Sequence, residues 1–208
     1  MEITELFVRR FRPDSLEAFD DDPSVIYGLN DELQLGLLND AWFESAHAAN
    51  ASREFFENYG LGGSYVDAIA APLRAFFEYR IRRSIDKGET WTFDYQCPKP
   101  NQFSMYRMQV LPLGAQDGAQ DRGCLVTNAS IIEIPRPEDD LVATEDVLSI
   151  YVRDDGFVTQ CAHCRQTRRV DKRSRWDWVP QLVWEELVPV SHGLCATCFA
   201  YFHSTPEA

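Results

Sequence analysis

Residues 72 to 97 read PLRAFFEYRIRRSIDKGETWTFDYQC, and the hydrophobic period changes once along them. Up to Lys87, Leu73, Phe76, Phe77, Ile81 and Ile85 recur at three- and four-residue steps, which puts one apolar stripe on a helix. Pro72 suits the first helical position, where its missing amide costs nothing, and Gly88 suits a left-handed cap. Arg82, Arg83 and Lys87 sit in the last turns, where the helix dipole favours cations. After Gly88 the period is two: Trp91, Phe93, Tyr95 and Cys97 alternate with Thr92, Asp94 and Gln96, as a half-buried strand requires. Working outward, Phe103 to Leu113 and Cys124 to Ile134 read as two more strands, joined by an exposed loop with a duplicated tetrapeptide, Gly114 to Asp121. Upstream, helical patterns cover Asp40 to Phe43 onward, Ser52 to Asn58 and Tyr65 to Ala70. Before them Ser24 to Asn39 forms two apolar runs joined at Asn30-Asp31-Glu32, a hairpin signal. Two strands, helices, a long helix and three strands predict an α+β fold: a five-stranded antiparallel sheet with helices on one side.

The chain has 208 residues, 45% hydrophobic and 12% aromatic, enough apolar material for a core. No run approaches the ~18 apolar residues of a membrane span, and the N-terminus has no apolar signal region, so a cytoplasmic protein is expected. A net charge of −13 disfavours general affinity for nucleic acid or anionic membrane. Against that background Arg165, Arg168, Arg169, Lys172, Arg173 and Arg175 form a basic arm with one acid among them, Asp171. The charge asymmetry suggests two units. Residues 135 to 150, opening PRPEDDLVATED, read as an acidic linker between residues 24 to 134 and a C-terminal module, 151 to 208, preceded by a flanking segment, 1 to 23. A module of that size buries little surface and needs a staple.

Cys161-Ala-His-Cys164 and Cys195-Ala-Thr-Cys198 supply one, whereas Cys97 and Cys124 stand alone in strand patterns. Two residues between ligands make a knuckle that offers both sulfurs to one ion, and two knuckles complete a tetrahedron, so a structural Zn2+ held by Cys161, Cys164, Cys195 and Cys198 is expected. The thirty-residue spacer exceeds the roughly 15 to 20 of the commonest pattern, and a helix from Pro180 to Leu187 is expected within it. His192 stands three before Cys195 as an alternative ligand or a supporting contact, with His163 and His203 nearby. Four thiolates suffice without them. The same cysteines would serve a redox switch. Four thiolates on zinc leave a charge of −2, which the basic arm would compensate. Its other reading is contact with nucleic acid or an acidic partner, with Trp176, Trp178 and Trp184 as stacking surfaces.

Residues 24 to 134 resemble a PAS domain through several short pieces in order. Ser24 to Asn39 is similar to the opening hairpin and Asn39-Asp40-Ala41-Trp42 to the N-x-A-aromatic entry to the first helix. Gly63-Ser64-Tyr65 is similar to the G-x-N/S-Y turn, Tyr95-Gln96-Cys97-Pro98 to the Y-P-C-H-S-P strand of one bacterial subgroup, and Met108 to Leu113 to the strand ending V-x-P-L. The tail resembles a zinc-ribbon-like segment that follows PAS or receiver domains in bacterial signalling proteins, C-x-x-C-K-x-I-R … W … S-H-G-I-C-P-x-C. Cys161 to Arg168, then Trp176 or Trp178, then Ser191 to Cys198 match it, with Ala196 in place of proline.

The resemblance implies a sensory or dimerisation domain that passes a change to a protein partner. Its small-ligand cavity would be lined by Tyr27, Trp42, Phe77, Tyr79, Trp91, Tyr95 and Tyr106, unless these simply fill the core. Haem is disfavoured because residues 72 to 87 hold no histidine and the region has only His47; the cysteine-bearing flavin motif is absent too. Gly60-Leu-Gly-Gly63 lacks the lysine of a phosphate loop, and no kinase, receiver or cyclase signature is present. The expectation is therefore a non-catalytic signalling protein, paired as a homodimer, with Ile3, Leu6, Phe7 and Phe11 serving either a pairing helix or a cap on the chain's own sheet. A nucleic-acid-binding regulator and a redox sensor are the alternatives.

Overall fold

A computed structural model of the chain describes residues 1–97, 102–114, 122–135, 149–179, 181–184 and 188–203. The elements run β1 (Glu2–Ile3), α1 (Glu5–Val8), α2 (Pro13–Asp20), β2 (Val25–Asn30), β3 (Leu35–Leu38), α3 (Asp40–Ala48), α4 (Arg53–Tyr59), α5 (Tyr65–Ala68) and α6 (Ala71–Lys87). They continue with β4 (Trp91–Gln96), β5 (Gln102–Leu113), β6 (Gly123–Pro135), β7 (Val158–Cys161), β8 (Thr167–Arg168), β9 (Trp176–Asp177), α7 (Gln181–Trp184), β10 (Val190–Gly193) and α8 (Ala196–His203). The loop from Gly114 to Asp121, beyond Gly114 itself, lies outside the described residues, as do the linker at 136–148 and Pro98.

Strands β1 to β6 form one antiparallel sheet in the order β1-β3-β2-β6-β5-β4, so the five expected strands are joined by a sixth at the N-terminus. The chain divides into two compact units: Met1–Ile69, Arg74–Asp94 and Arg107–Ser130 make the first, and Ala70–Leu73, Tyr95–Tyr106 and Ile131–Ala208 the second.

In the first unit Leu29, Leu33, Leu37, Leu38, Ile81, Met108, Val110 and Val126 are closed to solvent. All four residues of β3 are buried, so this strand shows no in-out alternation and both its faces are covered. One face is covered by the chain's own start. Phe7, only 1% exposed, packs with Ile26, Leu37 and Leu125, and Met1, Ile3, Leu6, Phe11, Leu16 and Phe19 gather around them. A Cβ at Gly28 or Gly36 would stand 2.3 or 2.4 Å from the Phe7 ring, so two glycines create the seat for one phenylalanine. Residues 1–20 thus take the cap arrangement.

The first helix of the main run is fixed by Asn39, which is fully buried. Its Oδ1 accepts from the Ile26 amide at 3.0 Å and the Trp42 amide at 3.1 Å, the second being the N-cap bond of α3. Its Nδ2 donates to the carbonyls of Phe19 (3.0 Å) and Ser24 (2.9 Å). One amide therefore ties α2, β2 and α3 together. Ser52 and Ser64 cap α4 and α5 in the same way, and α6 ends at Gly88, whose φ of +66° is left-handed. The turn between β2 and β3 runs one residue past the expected Asn30-Asp31-Glu32 and places Leu33 at φ +61°, with its side chain buried.

In the second unit β7 to β10 form a sheet in the order β10-β7-β8-β9. Tyr151, Val158, Val179 and Leu182 pack beneath it. Buried Gln160 donates from Nε2 to the Leu182 carbonyl at 2.9 Å and accepts from Arg165 at 3.0 Å. Within the expected helix from Pro180 to Leu187 the described part is α7; residues 180 and 185–187 lie outside the described residues.

Candidate metal centre

Strands β7 and β10 are parallel, in register from Val190 opposite Val158 to Gly193 opposite Cys161. Both strands therefore end at the same edge, and each runs straight into its CxxC pair. A parallel return needs a long crossover. Here the crossover carries β8, β9 and α7, which accounts for a spacer longer than that of a simple two-knuckle ribbon.

The first knuckle turns back through Arg165, whose φ is +63° and whose amide donates to the Cys161 carbonyl at 3.0 Å. The Ala162 amide donates to the Gly193 carbonyl at 2.8 Å and locks this turn to the second strand. The second pair straddles the start of α8. As a result the four sulfurs of Cys161, Cys164, Cys195 and Cys198 lie within 4.8 Å of one another. Cys161, Cys195 and Cys198 are buried, Cys164 half-buried, and Trp176 and Leu194 pack against them.

A tetrahedron with Zn–S bonds of about 2.3 Å has sulfur–sulfur edges of about 3.8 Å. The Cys164 and Cys195 sulfurs are 3.8 Å apart. Backbone amides already point at the sulfurs, Cys195 N–H at Cys161 Sγ (3.4 Å) and Cys198 N–H at Cys195 Sγ (3.5 Å). The Cys164 thiol and the backbone amides of Cys195, Cys164 and His163 stabilise the Cys161 thiolate and lower its pKa, whereas sharing that proton raises Cys164 and burial raises Cys198. Four soft sulfur donors gathered at these distances are the donor set of a metal site. Cys124 differs: burial alone pushes its thiol up to about 12 and leaves it unreactive, and Cys97 is exposed.

His192 is exposed on β10, opposite Gln160, and lies outside the sulfur group. The histidine that touches the sulfurs is His163, with Nδ1 3.3 Å from Cys198 Sγ. Its position inside the first CxxC pair was the available signal. His203 packs on Phe199.

The seven aromatic residues expected around a ligand make the following ring contacts. Tyr27 is buried and stacks on Tyr65 at 5.4 Å. Trp42 packs with Phe43, Phe55 and Phe56. Phe77 and Trp91 share a cluster with Phe76 and Phe93. Tyr95 stacks on Tyr106 at 5.9 Å. Tyr79 is exposed, with Arg80 against its ring. Two surface cavities, of about 540 and 90 Å3, are lined by none of them.

In the basic arm Arg169 binds Asp171 through two hydrogen bonds of 2.7 Å, Arg175 binds Asp177 at 2.8 Å, and Arg168 lies over Trp176. Much of its charge is thus answered locally. No helix among the described residues is long and apolar enough to cross a membrane.

No family model matches the chain, and no curated protein matches it. Solved structures similar to part of it include the PAS domain of BvgS from Bordetella pertussis, 19% identical over 65% of this chain and 93% of that one, with a TM-score of 0.43. A PAS domain from Colwellia psychrerythraea is 17% identical over 57% of this chain and 94% of that one, TM-score 0.41. The VqmA dimer of Vibrio cholerae, described among LuxR-type receptors, is 12% identical over 64% of this chain and 55% of that one, TM-score 0.43.

Proposed function

We propose that this chain is a signalling protein without catalytic output, in which a PAS-like sensory or dimerisation unit is coupled to an interaction module organised by one structural zinc ion. The observation that carries the reading is the convergence of four sulfurs, three of them buried, at the common end of two parallel strands. Soft thiolates in a compact set of four suit Zn2+, and a site closed by four protein ligands keeps no position open for a substrate. Cys161, Cys164, Cys195 and Cys198 would hold the ion; its chemistry is structural, joining two knuckles through one point. The PAS-like part of the reading rests on the chain's own order of strands and helices. The partner is a protein, and a second copy of the chain is included in the reading.

Native mass spectrometry of the full chain tests this directly. One zinc per chain is the expected result, and the same spectrum reports any retained small molecule and the dimer. A metal-free chain whose tail stays ordered with every thiol reduced would overturn it. A nucleic-acid-binding role fits less well, because Arg169 and Arg175 already pair with Asp171 and Asp177. A band shift that weakens steeply with salt would reinstate that role.

A further inference from the structure

His163 contacts more than a sulfur. The ring is 7% exposed, stacked on Tyr201 at 5.9 Å and edge-on to Phe202 at 5.0 Å. Its Nδ1 faces Cys198 Sγ at 3.3 Å, while its Nε2 accepts the backbone N–H of Gln96 at 2.9 Å. Both residues belong to the second compact unit. A backbone amide is only a donor, so Nε2 must present its lone pair. The single proton of a neutral imidazole then sits on Nδ1, aimed at the sulfur. Aromatic packing alone would seat the ring without choosing between its two tautomers. The hydrogen bonds at both ends choose one.

We infer that His163 is a positioning residue: as the Nδ1–H tautomer it links the Cys198 sulfur to the terminal amide of β4, so that the state of the cysteine cluster is felt at the end of that strand. Loss of the ion, which would hold the Cys198 sulfur in place, or oxidation of Cys198 shifts the atom that Nδ1 faces, frees the ring to turn and takes the partner from Gln96 N–H. Gln96 directly precedes Cys97, whose amide donates to the Ser104 carbonyl at 3.1 Å, so the disturbance falls where the β4–β5 pairing ends. The trigger rests on the metal reading above; the hydrogen-bonded link does not.

The test is NMR on the full chain, labelled with 15N, before and after zinc removal by a chelator. Long-range imidazole spectra should show His163 as Nδ1–H in the zinc-loaded chain. Exchange of the Gln96 amide should quicken about tenfold when zinc leaves, the size of one hydrogen bond, with β2 and β3 amides unchanged. His163→Leu should still take up zinc, about 10–100-fold more weakly, and its Gln96 amide should exchange at one rate with or without the metal. An Nε2–H tautomer, or a Gln96 response to zinc that survives in His163→Leu, overturns the inference. If the wild-type chain takes up no zinc, the metal reading fails by itself. The tautomer, with the change in the Gln96 amide between wild type and His163→Leu, then decides the link in the metal-free chain. Should His163→Leu not fold, the wild-type tautomer decides it alone.

Discussion

The two units solve the problem of staying folded in different ways. The first buries long apolar runs: β3 is covered on both faces, and Leu29, Leu37, Leu38, Ile81 and Val110 see no solvent. The second has a smaller apolar cluster around Tyr151, Val158, Val179 and Leu182, and beside it a group of buried sulfurs that would repel one another as thiolates. Burial is self-sufficient in the one, because each side chain adds about 1.5–3 kcal/mol when removed from water. In the other, a bound cation would turn a liability into a cross-link. The comparison teaches that a fold with few apolar residues per strand needs ligands that act at a point, and that such ligands must converge from distant parts of the chain.

The largest effect expected is therefore selective. Chelation, or Cys161→Ser with Cys195→Ser, should open the two knuckles and loosen β7 and β10 beside them while the first unit keeps its order, since a structural zinc ion supplies folding free energy to the segments that ligate it. Hydrogen exchange read by mass spectrometry should show β7 and β10 losing protection while β2, β3 and α6 keep theirs. Equal protection in both units with the metal gone would erase the contrast between them.

The reciprocal experiment acts on the first unit. Phe7→Ala empties the seat above Gly28 and Gly36 and should cost about 3–5 kcal/mol by denaturant titration, with zinc content unchanged. Should Phe7→Ala be neutral, the cap would be incidental and the sheet face free for a partner.

Asn39→Ala removes one buried side chain that answers two amides and three carbonyls. A loss of about 2–3 kcal/mol is expected, as for buried polar groups left unpaired. Asn39→Asp keeps the acceptor for Ile26 and Trp42 but faces the Phe19 and Ser24 carbonyls with charge. It should unfold at lower denaturant than wild type too. A stable Asn39→Asp would show that those carbonyls find other donors.

The smallest effect concerns pH. Hydrogen bonds from Arg107 hold the Asp94 carboxyl below its usual value. A depressed carboxylate contributes stability that is present above the unfolded pKa and lost as pH falls through the folded one. Asp94→Asn should therefore flatten the acid limb of the first unit's stability slightly, because the pair is substantially solvent-exposed. An acid limb identical to wild type would assign that pair no weight.

How much was legible in advance follows the range of the interactions. The helix ending at Gly88 and the strands on either side of Asn30 were readable because period, cap and turn chemistry are local properties. The sixth strand was not: Glu2–Ile3 is two residues long and acquires strand geometry only by pairing with Leu37 and Leu38. Of two histidines flanking the cysteines, the spacing argument favoured His192, whose place on β10 turns it to solvent, while His163 is folded inside the knuckle against Cys198.

By itself, the sequence determined an α+β chain with a helix–strand boundary at Gly88 and two matched CxxC pairs, since period and ligand spacing act over a few residues. The tertiary structure decided that β7 and β10 run parallel and bring the pairs to one edge, that Phe7 lies across Gly28 and Gly36, and that His163 faces both a sulfur and an amide. Each of these depends on where distant backbone segments come to rest, and a contact between residues far apart in the chain leaves no period along it.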